Sequence, residues 1–198
     1  GIYTLSVPTG GGKTLSSLRF AINHARIHGM ERVIFVAPYL TILEQNAAVV
    51  RKALGDLGDD ELVECHSNID VGRDDSGYVA TIDSGMDSWD APIIFTSMVQ
   101  FLEALFSSGT RRVRRMHNLA NSVIVFDEIQ SLPIKTTFMF NETISFLTRY
   151  CGSTAVLCTA TQPMLGGDLD YPLRLSEGSE IIEDPFRLYG SLKRTCVH

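Results

Sequence analysis

The first fourteen residues constrain the architecture more than any other part of the chain. Ile2 to Val7 reads as a β-strand and runs directly into Pro8-Thr9-Gly10-Gly11-Gly12-Lys13-Thr14, after which Leu15, Leu18, Ile22 and Ala25 recur at helical spacing. A strand that enters a helix through three consecutive glycines suits one task. Successive backbone N–H groups can turn inward around phosphate oxygens, and the positive end of the following helix dipole faces the same point. The run matches the phosphate-loop pattern GxxxxGK[ST] from Gly12 onward, with Val7 where the pattern has its first glycine. Thr9, Gly10, Gly11 and Gly12 would then cradle a nucleotide's phosphates. Lys13 would reach the β and γ phosphates, and the Thr14 hydroxyl would ligate magnesium. The bland alternative is a glycine turn beside a surface lysine, and the flanking strand and helix argue against it.

The same strand-then-helix unit recurs. Arg32 to Ala37 is a short apolar run followed by Leu40, Leu43, Ala47, Val50 and Leu54 on one helical face. Ile93 to Thr96 precedes Met98, Phe101, Leu102, Leu105 and Phe106. Val123 to Phe126 precedes a helix-like stretch from Pro133 to about Tyr150, and Thr154 to Cys158 supplies a further buried-type strand. Strands that are apolar throughout and alternate with helices indicate an α/β fold, a mainly parallel sheet with helices on both faces. The 198 residues suit one domain, residues 1–198, with a tail from about residue 166 where the pattern weakens. The stretch from Ser67 to Asp90, rich in Asp, Gly and Ser, reads as an inserted loop. The first strand starts so close to Gly1 that the chain reads as excised from something longer.

A nucleotide site needs a second half, an acid at the end of another buried strand. Val123-Ile124-Val125-Phe126-Asp127-Glu128 supplies it. Asp127 would hold magnesium, and Glu128 would orient and deprotonate the attacking water. No NKxD or TKxD guanine-reading tetrapeptide occurs, which leaves adenine as the default base and ATP with Mg2+ as the expected ligands.

Composition excludes some classes and tests some rivals. Apolar residues are 44% of the chain and charged residues 20%, so disorder and coiled coil are out. No apolar run approaches a membrane span, and the chain reads as cytoplasmic with no membrane partner. A formal charge of -6 argues against a generally basic nucleic-acid surface while leaving room for a local groove. Cys65, Cys151, Cys158 and Cys196 form no CxxC pair and read as buried free thiols rather than disulfides or a metal site. His66 reads as satisfying a local backbone group, the Arg111 to Arg115 cluster as surface, and Trp89 as a packing residue rather than a base-stacking one.

Two further motifs make the picture specific. Asp127-Glu128-Ile129-Gln130 is a DExx-type box, and Thr159-Ala160-Thr161 resembles the Ser/Thr-Ala-Thr motif of superfamily-two helicases, which also tolerate a non-glycine residue at the Val7 position. With the segments Val36 to Asn46, Trp89 to Gln100, His117 to Ser122, Asp127 to Pro133 and Thr159 to Pro163, the chain resembles the helicase part of the CRISPR-associated helicase-nucleases of type I interference systems. The resemblance runs from Val7 to about Pro163 and covers only the first of that family's two RecA-like domains.

The resemblance implies a single-stranded DNA translocase driven by ATP, recruited by an RNA-guided CRISPR surveillance complex and feeding DNA to an HD-type nuclease domain. Neither a His-Asp dipeptide nor the arginine-bearing motif of the second RecA-like domain is present, so the isolated chain is expected to bind ATP and hydrolyse it poorly. It further implies that Gln130 senses the nucleotide state and that Thr159 and Thr161 couple the DExx loop to the DNA-binding face. Pro38, Tyr39, Thr96 and Gln100 then fall in motifs that contact the backbone of a single strand. Two alternatives share these features: a superfamily-two motor acting on RNA, and a RecA-like module that binds without catalysis.

Overall fold

A computed structural model describes residues 1–8, 10–55, 61–65, 89–106, 115–159, 173, 175, 178–185 and 188. Six strands form one sheet: β1 (Ile2–Ser6), β2 (Arg32–Ala37), β3 (Leu62–Cys65), β4 (Ile93–Ser97), β5 (Ser122–Phe126) and β6 (Thr154–Thr159). Their spatial order is β1-β6-β5-β2-β4-β3, and every pairing is parallel. Among the described residues, four α-helices connect them: α1 (Lys13–His28), α2 (Leu40–Leu54), α3 (Met98–Phe106) and α4 (Ile134–Tyr150). The α/β class with a parallel sheet is therefore as the sequence pattern predicts.

Alternation along each strand divides the core between two faces. Leu5, Val33, Phe35, Val123, Val125 and Val156 point to one side and pack with Leu18, Ala21 and Ala25 of α1 and Leu43, Ala47 and Val50 of α2. Ile34, Val36, Ile94, Ile124, Phe126, Ala155 and Leu157 point to the other and meet Met98 and Phe101 of α3 and Phe140, Ile144 and Leu147 of α4. Phe126 sits between Phe101 and Phe140, edge-on to both, with ring centroids 5.1 and 4.9 Å away. Because both faces are covered, the central strands show no polar alternation. Helices on both faces are thus confirmed.

The helical stripes depart from expectation at their margins. In α1 the buried line runs through Ser17, Leu18, Ala21 and Ala25, which leaves Leu15 47% exposed. Leu54 and Phe106, at the ends of α2 and α3, also face outward. The strand β3 lies where the sequence shows no continuous apolar run. Among the described residues it pairs with β4 alone, at the sheet edge, and its Glu64 forms an ion pair with Arg51 of α2. An edge strand covered on one side carries a mixed pattern that hydrophobic runs do not reveal.

At the opposite edge, part of the tail docks on β1. The Thr4 N–H donates to the Ser179 carbonyl and the Ile181 N–H to the Thr4 carbonyl, each at 2.9 Å. The Glu180 carboxylate accepts from the Thr4 hydroxyl at 3.0 Å, the Ser6 hydroxyl at 2.8 Å and the Ser6 N–H at 3.1 Å.

Trp89 is fully buried with the Arg115 guanidinium 5.5 Å from its ring centroid, which supports packing. Cys65 and Cys158 are buried and Cys151 is half-buried. The Ser67 to Asp90 insertion up to residue 88, His66, Arg111, Arg112, Arg114 and Cys196 lie outside the described residues. Among the described residues, no helix is long and apolar enough to cross a membrane.

Candidate functional site

Strand order determines which loops meet. β6 lies between β1 and β5, so the carboxyl ends of these three neighbours bring together the glycine loop after β1, the Asp127-Glu128 pair after β5 and Thr159 at the end of β6. In open α/β sheets this end of the strands is where ligands bind.

The glycine loop is shaped for an anion. Gly10 and Gly12 have φ of 81° and 79°, a left-handed conformation that side-chain-bearing residues rarely adopt, and a Cβ at Gly12 would meet nothing within 4 Å. Among the described residues no side chain caps the amino terminus of α1, which leaves its first-turn N–H groups directed at the space in front of the loop. Thr9 lies outside the described residues. Lys13 opens the helix, and its ammonium lies 2.9 Å from Asp127 Oδ1 and also bonds Glu128 Oε1. Burial works to lower the Lys13 pKa, but the hydrogen bonds and charges of Glu128 and Asp127 outweigh it and leave it raised.

Asp127 and Glu128 are held differently. Asp127 extends β5 by one residue, its N–H donating to the Val36 carbonyl at 2.9 Å, and its side chain is largely buried. Glu128 takes φ 48°, unusual for a residue with a side chain, and turns into the short 3-10 segment Ile129–Ser131. That turn carries a strain of about 1–3 kcal/mol and aims the carboxylate at Lys13. Ser131 supports it by donating its hydroxyl to the Glu128 carbonyl at 2.8 Å. Gln130 donates to Glu128 Oε2, and the Thr159 hydroxyl donates to Gln130 Oε1 at 3.0 Å. Thr159 is thereby linked to the DExx loop through Gln130; Thr161 lies outside the described residues.

Asn46 belongs to the site as well, although the sequence reading assigns it no role. Its Oδ1 accepts from the Thr14 hydroxyl and its Nδ2 donates to Asp127 Oδ2, both at 2.8 Å. The available signal was a polar side chain beside the apolar line Leu43, Ala47 and Val50. A hydroxyl and a carboxylate joined in this way are hard oxygen donors of the type magnesium prefers, so the residues present fit that ion.

The strand-contact candidates divide. Pro38 and Tyr39 follow β2 at the same end of the sheet, and Tyr39 is 58% exposed at the uncapped amino terminus of α2. Gln100 lies in the first turn of α3, with Oε1 accepting from Arg115. Thr96 requires correction: it is fully buried in β4, and its hydroxyl donates to the Cys65 carbonyl at 3.1 Å, so its side chain does not face a ligand. Parallel alternation puts residue 96 into the sheet, and the polar end of that strand is Ser97.

Comparison with known proteins agrees with this geometry. Residues 3–165 match the model of the DEAD/DEAH box helicase family. The CRISPR-associated nuclease/helicase Cas3 of Haloferax volcanii is 28% identical over an alignment 197 positions long that takes in 90% of this chain and 21% of that protein. The chain therefore spans about a fifth of that relative's length. Among solved structures, T. fusca Cas3-AMPPNP superposes with a TM-score of 0.68 at 20% identity, covering 82% of this chain and 19% of that one. A CRISPR RNA-guided surveillance complex in a pre-nicking state gives 0.56 at 18% identity, covering 82% and 16%. These two likenesses bear on the fold. With a family match over most of its length and the phosphate loop facing the DExx pair across β6, the chain belongs to the DEAD/DEAH box helicases.

Proposed function

We propose that the chain is the ATP-binding first RecA-like lobe of a CRISPR-associated helicase-nuclease, spanning residues 1–198, and that its parent moves along single-stranded DNA in antiviral defence. One observation carries the reading: Lys13 of the glycine loop meets Asp127 and Glu128 of the DExx box at the carboxyl ends of β1 and β5. The Cas3 likeness of the Haloferax protein supports the CRISPR assignment.

The chemistry follows from what each group does when a triphosphate arrives. Lys13 leaves its carboxylate partners for the β and γ phosphates, with Thr9, Gly10, Gly11 and Gly12 lining the loop around them. Magnesium, held by Thr14 and Asp127, would supply further neutralisation of phosphate charge. Departure of Lys13 frees Oε1 of Glu128 while Gln130 still holds Oε2, so the carboxylate stays oriented with one oxygen open to take a proton from water. Without nucleotide the base is thus occupied by the lysine. An arginine from a second RecA-like domain would stabilise the transition state, which makes the lone lobe a slow ATPase.

The strand would cross the end of the sheet near Pro38, Tyr39 and Gln100, using backbone N–H groups of α2 and polar side chains rather than net positive charge. Thr159 and Thr161 would relay between this face and Gln130. An HD-type nuclease domain and an RNA-guided surveillance complex complete the partners, and the setting is cytoplasmic.

The test is ATP hydrolysis by the full-length protein with single-stranded DNA, single-stranded RNA or neither, beside Glu128→Gln. Stimulation by DNA alone, abolished by the substitution, is the expected outcome. Stimulation by RNA alone would assign the chain to another superfamily-two motor, and nucleotide binding without turnover would make it a binding module.

A further inference from the structure

We infer that Asn46, on the second turn of α2, is a positioning residue that presents Thr14 and Asp127 jointly to a divalent cation. The inference rests on the nucleotide-binding reading above and adds a residue that neither the phosphate loop nor the DExx box contains.

The amide joins two oxygens from opposite halves of the site. Thr14 belongs to the first turn of α1, Asp127 follows β5, and Asn46 lies 2.8 Å from a side-chain oxygen of each. Only one orientation of the amide satisfies both neighbours. A carboxylate offers no proton, so it must face Nδ2, and Oδ1 is left to accept from the hydroxyl. This orientation determines where the Thr14 proton points: toward Asn46, with the hydroxyl lone pairs directed elsewhere and available to a cation. On the other side, Nδ2 pins Asp127 Oδ2, while Oδ1 of the same carboxylate faces Lys13 and accepts from the Glu128 N–H at 2.9 Å. Both oxygens of Asp127 thus have assigned donors and its rotamer is held.

α2 is a suitable base for such a group. Leu43, Ala47 and Val50 anchor it in the core on either side of Asn46 in sequence, so the amide is carried on a rigid element. Asn is a mediocre helix former, and its hydrogen bonds here leave the helix for α1 and β5 rather than returning to the local backbone. Groups that orient metal ligands in this way govern metal affinity without touching the metal.

The experiment measures binding of a fluorescent ADP analogue to the full chain across a magnesium series, including a chelated, magnesium-free arm. Wild type is compared with Asn46→Leu, which keeps the volume without polar atoms, and with Asn46→Ala; thermal melting confirms that each folds. Positioning predicts that magnesium-free affinity stays within about twofold of wild type while the magnesium needed for half-maximal tightening rises about tenfold or more. Superimposable magnesium curves would overturn the role of Asn46 and leave the nucleotide site standing. An equal loss of affinity in both arms would also overturn it, because that is the mark of a merely structural residue. Failure of wild type to bind the analogue at any magnesium concentration would overturn the nucleotide reading and this inference together.

Discussion

Lys13 and Glu128, 115 positions apart in sequence, share a direct ion pair, and Asp127 stands 2.9 Å from the same ammonium. Two carboxylates on one lysine make a cluster with net negative charge, which only a further cation or the transfer of Lys13 to a phosphate would rearrange. Lys13→Ala removes the shared counter-ion and leaves two partly buried carboxylates facing each other. The expected result is loss of nucleotide binding together with a stability loss of about 1–3 kcal/mol without nucleotide, read as a lower melting temperature. Because the Lys13 pKa is raised by its partners, this stabilisation is fully present at neutral pH and is lost only as pH rises past the ordinary lysine range toward the folded value.

Gln130 makes a different prediction, because it touches Glu128 and Thr159 but not Lys13 in the observed contacts. Gln130→Ala should leave nucleotide affinity unchanged and lower the turnover of the full-length protein by about tenfold to a hundredfold, a part of the roughly 10²–10⁴-fold that a well-placed general base contributes. Thr159→Val, which removes the hydroxyl bonded to Gln130, should shift turnover the same way by less. A fall in affinity without a fall in turnover would contradict the assigned role.

Legibility in sequence followed the physics of each element. β2, β4, β5 and β6 are continuous apolar runs because both faces of the sheet are covered, so they were evident, and the loops at their carboxyl ends came with them. β3 escaped because an edge strand paired with Arg51 through Glu64 has no such run. A motif places a segment and not the facing of each residue, and the Thr96 side chain is buried in β4. Asn46 was invisible because its significance depends on the α2 register bringing it between Thr14 and Asp127, a tertiary fact. The same holds for Glu180, whose partners Thr4 and Ser6 lie at the far end of the chain.

Glu180 closes the free edge of β1 by accepting from three donors on Thr4 and Ser6. Glu180→Ala should cost about 1–3 kcal/mol, because a strand N–H and two hydroxyls lose a charged acceptor. Limited proteolysis should then cleave the tail near this position faster than in wild type, while the phosphate loop, one residue beyond Ser6 and Val7, should show weakened nucleotide affinity. Unchanged proteolysis would mean that the backbone bonds of Ser179 and Ile181 to Thr4 hold the tail without the carboxylate.

His24 connects α1 to the start of β6 and predicts acid sensitivity. Its Nε2 lies 3.0 Å from the Thr154 hydroxyl, and its ring packs among Tyr3, Phe20 and His28 at centroid distances of 5.4, 5.3 and 4.2 Å. Burial and the neighbouring His28 lower its pKa below the ordinary value of 6.5. The unfolded chain therefore binds a proton at a higher pH than the folded one, and the stability His24 contributes is intact above about pH 6.5 and declines as pH falls toward its folded pKa. Melting temperature should drop as pH falls below about 6.5, and His24→Gln, which keeps a polar partner for Thr154 but does not titrate, should flatten that part of the curve. Identical slopes in the two proteins would place the acid sensitivity elsewhere.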